Sequence, residues 1–263
     1  MPSSDPPAAP RAAERVAKLM AQRGLCSRRE AERLIDAGQV VVDGVVQREQ
    51  GCKAAPDADI RIAAGGEQVL SERVTVLLHK PLGIVSTQPE PGQKPAWTLL
   101  RAQTAHGYVE PAHLQRVLAD PQSLAVAGRL DRASRGLLLM TQDGTIARRV
   151  IGGQGVEKRY LVRTTEPPTD AQIHKLRALR DLDGEPLRPM RVDREATDTL
   201  RFTLIEGKKH QIRRVCRRFG LNVTDLFRIA IGPLTIGDLP EGKWRLVSDT
   251  EIERLKADGR VAR

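Results

Sequence analysis

Gly128 to Arg132 reads Gly-Arg-Leu-Asp-Arg and sets one carboxylate, Asp131, between two guanidinium groups, Arg129 and Arg132. A carboxylate beside cations stays ionised and is available as a nucleophile. Taken alone, such a loop is usually a surface ion-pair cluster. A second stretch, Glu157-Lys158-Arg159-Tyr160-Leu161-Val162, puts a tyrosine on an apolar strand. In isolation that tyrosine is a core residue with its hydroxyl in water. The third stretch runs from Gly207 to Gly220 and carries six Lys or Arg and no acid. Ile212, Val215 and Phe219 give it a buried stripe, so the cations fall on the opposite face, which suits contact with phosphates.

The whole chain shares that bias. Forty-three Lys and Arg against 33 Asp and Glu leave a net charge of +10, which favours a polyanionic partner such as RNA. Aromatic residues make up only 3% of the sequence, which argues against a surface that binds RNA mainly by base stacking. Cys26, Cys52 and Cys216 are odd in number, far apart and without Cys-x-x-Cys spacing. They point to a reducing cytoplasm, not to disulfides or a zinc site. The five histidines are scattered, and no metal is expected. No apolar run approaches membrane-spanning length and no signal-peptide pattern is present, so no membrane partner is expected.

The elements that must position these residues fall into two domains. Residues 1–10 are rich in Pro, Ser and Ala and read as a disordered tail. A compact unit over 11–66 follows. Val16, Leu19 and Met20 share a helical stripe that Gly24 ends. Ser27-Arg28-Arg29-Glu30 is a capping box opening a second helix, and Val40 to Val46 is a hairpin turning at Asp43-Gly44. Arg28, Arg29 and Arg33 lie on the exposed side of that second helix. Residues 67–73 read as a linker, 74–256 as the larger domain and 257–263 as a tail. In the larger domain, strands are expected at Val74–Leu78, Leu137–Met140, Lys158–Thr164, Thr199–Glu206, Leu226–Ile231 and Leu234–Ile236. Helices are expected at Thr145–Ile151, Thr169–Leu179, Lys209–Phe219 and from the capping box at Ser248 to about Lys256. The stretch from Thr87 to Leu124, with five prolines, reads as a long irregular insertion holding a short helix from Pro111 to Ala119. Strands and helices mix without strict alternation, so the fold class is α+β and not doubly wound.

In the first unit, Gly-Leu-Cys-Ser-Arg-Arg-Glu-Ala-Glu-Arg-Leu-Ile followed by Gly-Gln-Val-Val-Val-Asp-Gly resembles the alpha-L RNA-binding motif. That resemblance implies that the face carrying Arg28, Arg29 and Arg33 lies against RNA phosphates, positioning the protein without reading sequence. The larger domain carries Lys-Pro-x-Gly-Ile-Val-Ser-Thr at Lys80 to Thr87, Gly-Arg-Leu-Asp at Gly128 to Asp131 and Gln-Ile-Arg-Arg at Gln211 to Arg214. In order and spacing these resemble the signatures of the pseudouridine synthases, nearest the branch of ribosomal small-subunit synthase A and large-subunit synthases B, E and F. The motifs are most like those of synthase F. The stretch from Thr87 to Gly128 is longer than that branch usually has.

The resemblance implies the pseudouridine synthase fold: a mixed, mainly antiparallel sheet flanked by helices. It implies an isomerase that breaks the C1′–N1 bond of a uridine, turns the uracil and makes a C1′–C5 bond, with no cofactor. Asp131 is then the catalytic carboxylate, Tyr160 packs on the target base, and Arg213 is the cation that pairs with Asp131. Arg129 and Arg132 would hold phosphates of the flipped nucleotide, and Leu204 and Ile212 the apolar floor. Lys80, Lys208, Lys209, Gln211 and Arg214 complete the expected substrate contacts. The implied partner is ribosomal RNA, free or within a partly assembled subunit, met by a monomer in the cytoplasm. Two readings compete. One is an RNA-binding factor that has lost activity, which the joint presence of Asp131, Tyr160 and Arg213 opposes. The other is a methyltransferase, which lacks the glycine-rich cofactor loop it would need.

Overall fold

The computed structural model describes residues 12–152 and 155–258. The expected tail over 1–10 and the last five residues of the expected tail over 257–263 lie outside the described residues. The chain divides into two compact units, one mainly of residues up to Arg73 and the other mainly of residues from Val74 onward.

The smaller unit holds helices Val16–Gln22 and Arg28–Asp36. The second helix starts at the expected capping box: Ser27 N–H donates to Glu30 Oε2 at 2.7 Å and Glu30 N–H to Ser27 Oγ at 3.3 Å. Strand Val40–Val42 pairs with both Val45–Gln47 and Ile60–Ile62. The hairpin turns at Asp43 and Gly44, both with positive φ, as an Asp-Gly turn of this kind requires. Met20, Cys26, Ile35 and Val40 fill its core. Residues expected as a linker are instead part of a helix, Ala64–Ser71, and the turn after it. Gly66 explains the difference. A Cβ there would come within 2.6 Å of Ile62 Cγ2 and 3.2 Å of Leu34 Cδ2, so this glycine serves close packing and not flexibility.

In the larger unit, seven strands run in the spatial order Arg191–Ala196, Thr199–Leu204, Lys158–Thr164, Val223–Ile231, Arg135–Thr141, Thr75–Lys80 and Trp244–Leu246. Short strands Leu234–Thr235 and Ala125–Ala127 join it at the side. Every pair is antiparallel except the central one, where Phe227 and Arg228 run parallel to Arg135 and Gly136. That contact is tight: a Cβ on Gly136 would lie 2.3 Å from the Arg228 carbonyl oxygen, so only glycine lets the two backbones meet. Arg191–Ala196 was not expected, because its charges hide the alternation; only Val192 in it is buried.

One sheet face packs on helices Asp170–Ala178 and Gln211–Arg218 through Ile173, Leu176, Ile212 and Val215. The other meets helices Gly144–Ile151 and Asp249–Ala257 through Ile146, Val150 and Leu255. The last helix thus includes Ala257, the first residue of the expected tail. Within the long insertion a helix spans Pro111–Ala119. Ala96, Leu100 and Val117 bury into the first core, and Trp244 Nε1 donates to Arg101 O at 2.9 Å, so the segment adds to the sheet's packing.

Candidate active site

Register places one row of residues across five strands. Lys80 pairs with Gly136, Gly136 with Arg228, Arg228 with Tyr160, and Tyr160 with Phe202. Paired residues point to the same sheet face. The Arg228 guanidinium carbon lies 5.9 Å from the centre of the Tyr160 ring. Lys158, two residues before Tyr160 on its strand, faces the same way.

A cleft opens above this row. Asp131, Tyr160, Leu204, Ile212 and Leu226 line it, together with Arg129, Lys208, His210 and Gln211. Asp131 sits at its edge, partly exposed, with His210 Nε2 3.5 Å from its Oδ1. Tyr160 is almost wholly buried, its ring forming part of the cleft wall.

The loop carrying Asp131 is held at each carbonyl oxygen from 128 to 133. Arg228 donates to Gly128 O at 2.7 Å and to Arg129 O at 3.4 Å. Ser86 Oγ donates to Leu130 O at 2.6 Å and accepts from Leu130 N–H at 2.9 Å. Ser134 N–H reaches Asp131 O, Gly83 N–H reaches Arg132 O, and Arg213 Nη2 reaches Ala133 O at 2.6 Å. A loop so anchored presents its carboxylate in one geometry, which catalysis by a positioned nucleophile needs.

Around the loop the buried charge is positive. Lys80 is 0% exposed and donates to Pro81 O and Ile84 O at 2.8 and 2.7 Å. Burial, and then Arg228, lower its pKa to about 8, while Asp131 acts in the opposite direction. Lys158 is 7% exposed, and burial followed by Arg228 likewise lowers its pKa to about 8. Arg228 is 1% exposed. These three buried cations donate to backbone carbonyls and stand outside the cleft lining, Lys80 among them, which was expected to touch substrate. Among the described residues no three His, Cys, Asp or Glu side chains gather as a metal site.

The sequence model for RNA pseudouridylate synthases matches residues 74–218. The chain is a member of the RNA pseudouridylate synthase family. The model for the S4 domain matches residues 14–56 of the smaller unit. Over 249 residues the synthase is 32% identical to the dual-specificity RNA pseudouridine synthase RluF of Salmonella typhi, covering 90% of this chain and 77% of that one. An uncharacterized RNA pseudouridine synthase of Aquifex aeolicus (strain VF5) is 32% identical over 251 residues, with 92% and 93% covered. A crystal structure of a pseudouridylate synthase superposes with a TM-score of 0.62 at 25% identity, covering 92% of this chain and 99% of the other. The synthase therefore has the expected α+β fold with an S4 unit before it, and it is an isomerase acting on RNA.

The synthase brings only some of the expected residues to the cleft. Asp131, Tyr160, Arg129, Leu204, Ile212, Lys208 and Gln211 line it. Gln211 is tied down there, its Oε1 accepting from Lys208 N–H and its Nε2 donating to Glu206. Lys208 pairs with Glu185, and Arg214 with Asp183. Arg132 turns its Nε to Gly83 O, while Lys209 is exposed outside the cleft lining. The expected pairing of Arg213 with Asp131 is absent among the described residues. Arg213 donates instead to Ala133 O and to Val223 O, bracing the loop's backbone.

Three contributors carried no expected role. His210 stood unremarked inside the third motif; it has φ 52°, which ends the expected helix start at Lys209 and moves it to Gln211. Ser86 belonged to the first motif without a role. Arg228 is the single charge between Leu226 and Ile231, and an isolated arginine in an apolar strand is the signal that marks it.

Proposed function

We propose that this synthase isomerises a specific uridine of ribosomal RNA, in the large subunit, with Asp131 as the catalytic carboxylate and no cofactor. The observation that carries this is the seat of Asp131: a carboxylate at the mouth of a cleft walled by Tyr160, on a loop whose every carbonyl from 128 to 133 is held. The target base leaves its stack at a cost of roughly a few kcal/mol and enters between Tyr160 and the apolar side chains of Leu204 and Ile212. The C1′–N1 bond breaks, the uracil turns, C5 bonds to C1′, and the proton on C5 is lost while N1 takes one up. Tyr160 packs on the base, and Arg129 meets a phosphate of the flipped nucleotide. Arg217, Arg218 and Lys209 extend that cationic surface outside the cleft. Arg28, Arg29 and Arg33 are all exposed on their helix, which supports contact of the smaller unit with RNA phosphates. The substrate is ribosomal RNA, free or in a partly assembled subunit, and the enzyme works in the cytoplasm as a monomer. No helix is long and apolar enough to cross a membrane among the described residues.

Tritium release from 5-tritiated uridine in unmodified ribosomal RNA tests this reading. Release by the wild type and none by Asp131→Asn is the expected result. Release by neither, with tight binding to ribosomal RNA intact, would sink the choice of substrate, and release by both would sink the role of Asp131.

A further inference from the structure

Arg228 lies beyond the stretch that the synthase model matches, touches no residue that reacts in the scheme above, and is 1% exposed. A buried guanidinium costs several kcal/mol in lost hydration unless its donors are used. Here they are used on backbone. Nε donates to Leu137 O at 2.7 Å, Nη2 to Gly128 O at 2.7 Å and Nη1 to Arg129 O at 3.4 Å. No carboxylate shares it among the described residues; its charged neighbours are Lys80 and Lys158. A planar fork of fixed donors joins a rigid central strand to the entry of the catalytic loop, three and two residues before Asp131. Gly136 lets the Arg228 backbone come close enough for that reach, and Gly128 opens the loop with φ 88°, a left-handed conformation that suits glycine.

We propose that Arg228 is a positioning residue for the isomerisation, fixing the peptides of Gly128 and Arg129 so that the Asp131 carboxylate is aimed at the flipped nucleotide. The inference rests on the role given above to Asp131. The same strand face carries Tyr160, cross-strand from Arg228, so one side chain sets the separation between the aromatic wall and the carboxylate. Arg213 braces the exit of the same loop at Ala133 O, and Ser86 its middle at Leu130. Among the described residues, only Arg228 donates to the carbonyls of the entry, Gly128 and Arg129.

The test compares full-length wild type, Arg228→Met and Arg228→Lys on the same tritiated RNA. Methionine keeps the apolar bulk and removes every donor; lysine keeps the charge and loses the fork. Misplacing a reacting group by about 1 Å costs on the order of 100-fold. Arg228→Met is therefore expected to lose about that much in kcat with KM within threefold of wild type, and Arg228→Lys to recover no more than about tenfold of the loss. Millimolar methylguanidinium added to Arg228→Ala should restore part of kcat without changing KM. A kcat within threefold of wild type for Arg228→Met would overturn the proposal, as would a loss carried by KM. Full recovery by Arg228→Lys would overturn it too, since charge alone would then suffice. Should Arg228→Met and Arg228→Ala not fold, Arg228→Lys decides: kcat lowered at least tenfold at unchanged KM supports positioning, and wild-type kcat rejects it. Activity surviving in Asp131→Asn would remove the reading beneath this one. An inactive Asp131→Asn beside a fully active Arg228→Met would remove the positioning role alone.

Discussion

His210 Nε2 stands 3.5 Å from Asp131 Oδ1, and the backbone of His210 is left-handed, with φ 52° and ψ 27°. Only three non-glycine residues have positive φ among the described residues, and the other two, Asp43 and Asp183, are aspartates followed by glycine at tight turns. A left-handed conformation costs a histidine roughly 1 kcal/mol, and its place beside the carboxylate marks strain stored at a functional site. The conformation also ends the backbone of the Gly207 loop and starts the cationic helix, so the imidazole and the helix enter the cleft together.

The first prediction concerns that strain. His210→Gly removes both the conformational cost and the imidazole. It should leave the melting temperature unchanged or higher while kcat falls about fivefold, the worth of a partly exposed polar contact of about 1 kcal/mol. Thermal unfolding and tritium release on the same sample check it. A variant that melts lower than wild type would show that the imidazole's contacts outweigh the strain.

The second concerns Lys158. Its folded-state pKa, about 8, is below the 10.5 of a free lysine because burial and Arg228 disfavour its charged form. Between those two values the unfolded chain holds the proton and the folded protein has released it, so stability rises with pH across that window. Below about pH 8 the full penalty applies. Lys158→Met should therefore be more stable than wild type at pH 7, by up to about 3 kcal/mol. Its gain in stability from pH 7 to 10 should be smaller than the wild type's, with Lys80 supplying what remains. Denaturant unfolding at the two pH values reads this out, and an equal gain in both proteins would contradict it.

The third concerns the smaller unit. Reversing Arg28, Arg29 and Arg33 to Glu touches exposed side chains only, so the fold should survive. Each phosphate that the protein no longer neutralises lowers the slope of log affinity against log salt by about 0.7 to 0.9, so the triple variant should flatten that slope by about 2. At saturating RNA, kcat should stay at the wild-type level. Unchanged RNA affinity at low salt would mean that this helix face does not meet phosphate.

Much of the local structure could be read directly, because its causes are local. Lys158–Thr164 alternates along its own length, Pro111–Ala119 starts with a proline at its first turn, and Ser27 and Ser248 carry capping boxes that the structure reproduces. Arg191–Ala196 escaped notice for the opposite reason. It is a sheet edge whose pairing with Thr199–Leu204 makes it a strand, and its own residues have no apolar rhythm. The reading of 67–73 as a linker failed because Gly65 and Gly66 look flexible in a string of letters, while in space Gly66 is pressed against Ile62 and Leu34.

The resemblance carried by the motifs and their order was enough to name the reaction and to place an RNA-binding unit before the catalytic one, and the structure brings Asp131 and Tyr160, both expected from it, to one cleft. A motif spells out which groups are present. Which cation meets which oxygen depended on tertiary structure. Arg213 and Asp131 are 82 positions apart in the chain, and the guanidinium went to the backbone carbonyls of Ala133 and Val223. Arg228 reaches Gly128 across 100 positions. Long side chains such as these have several partners within reach, and only the packed sheet, through the close parallel contact at Gly136, decides among them.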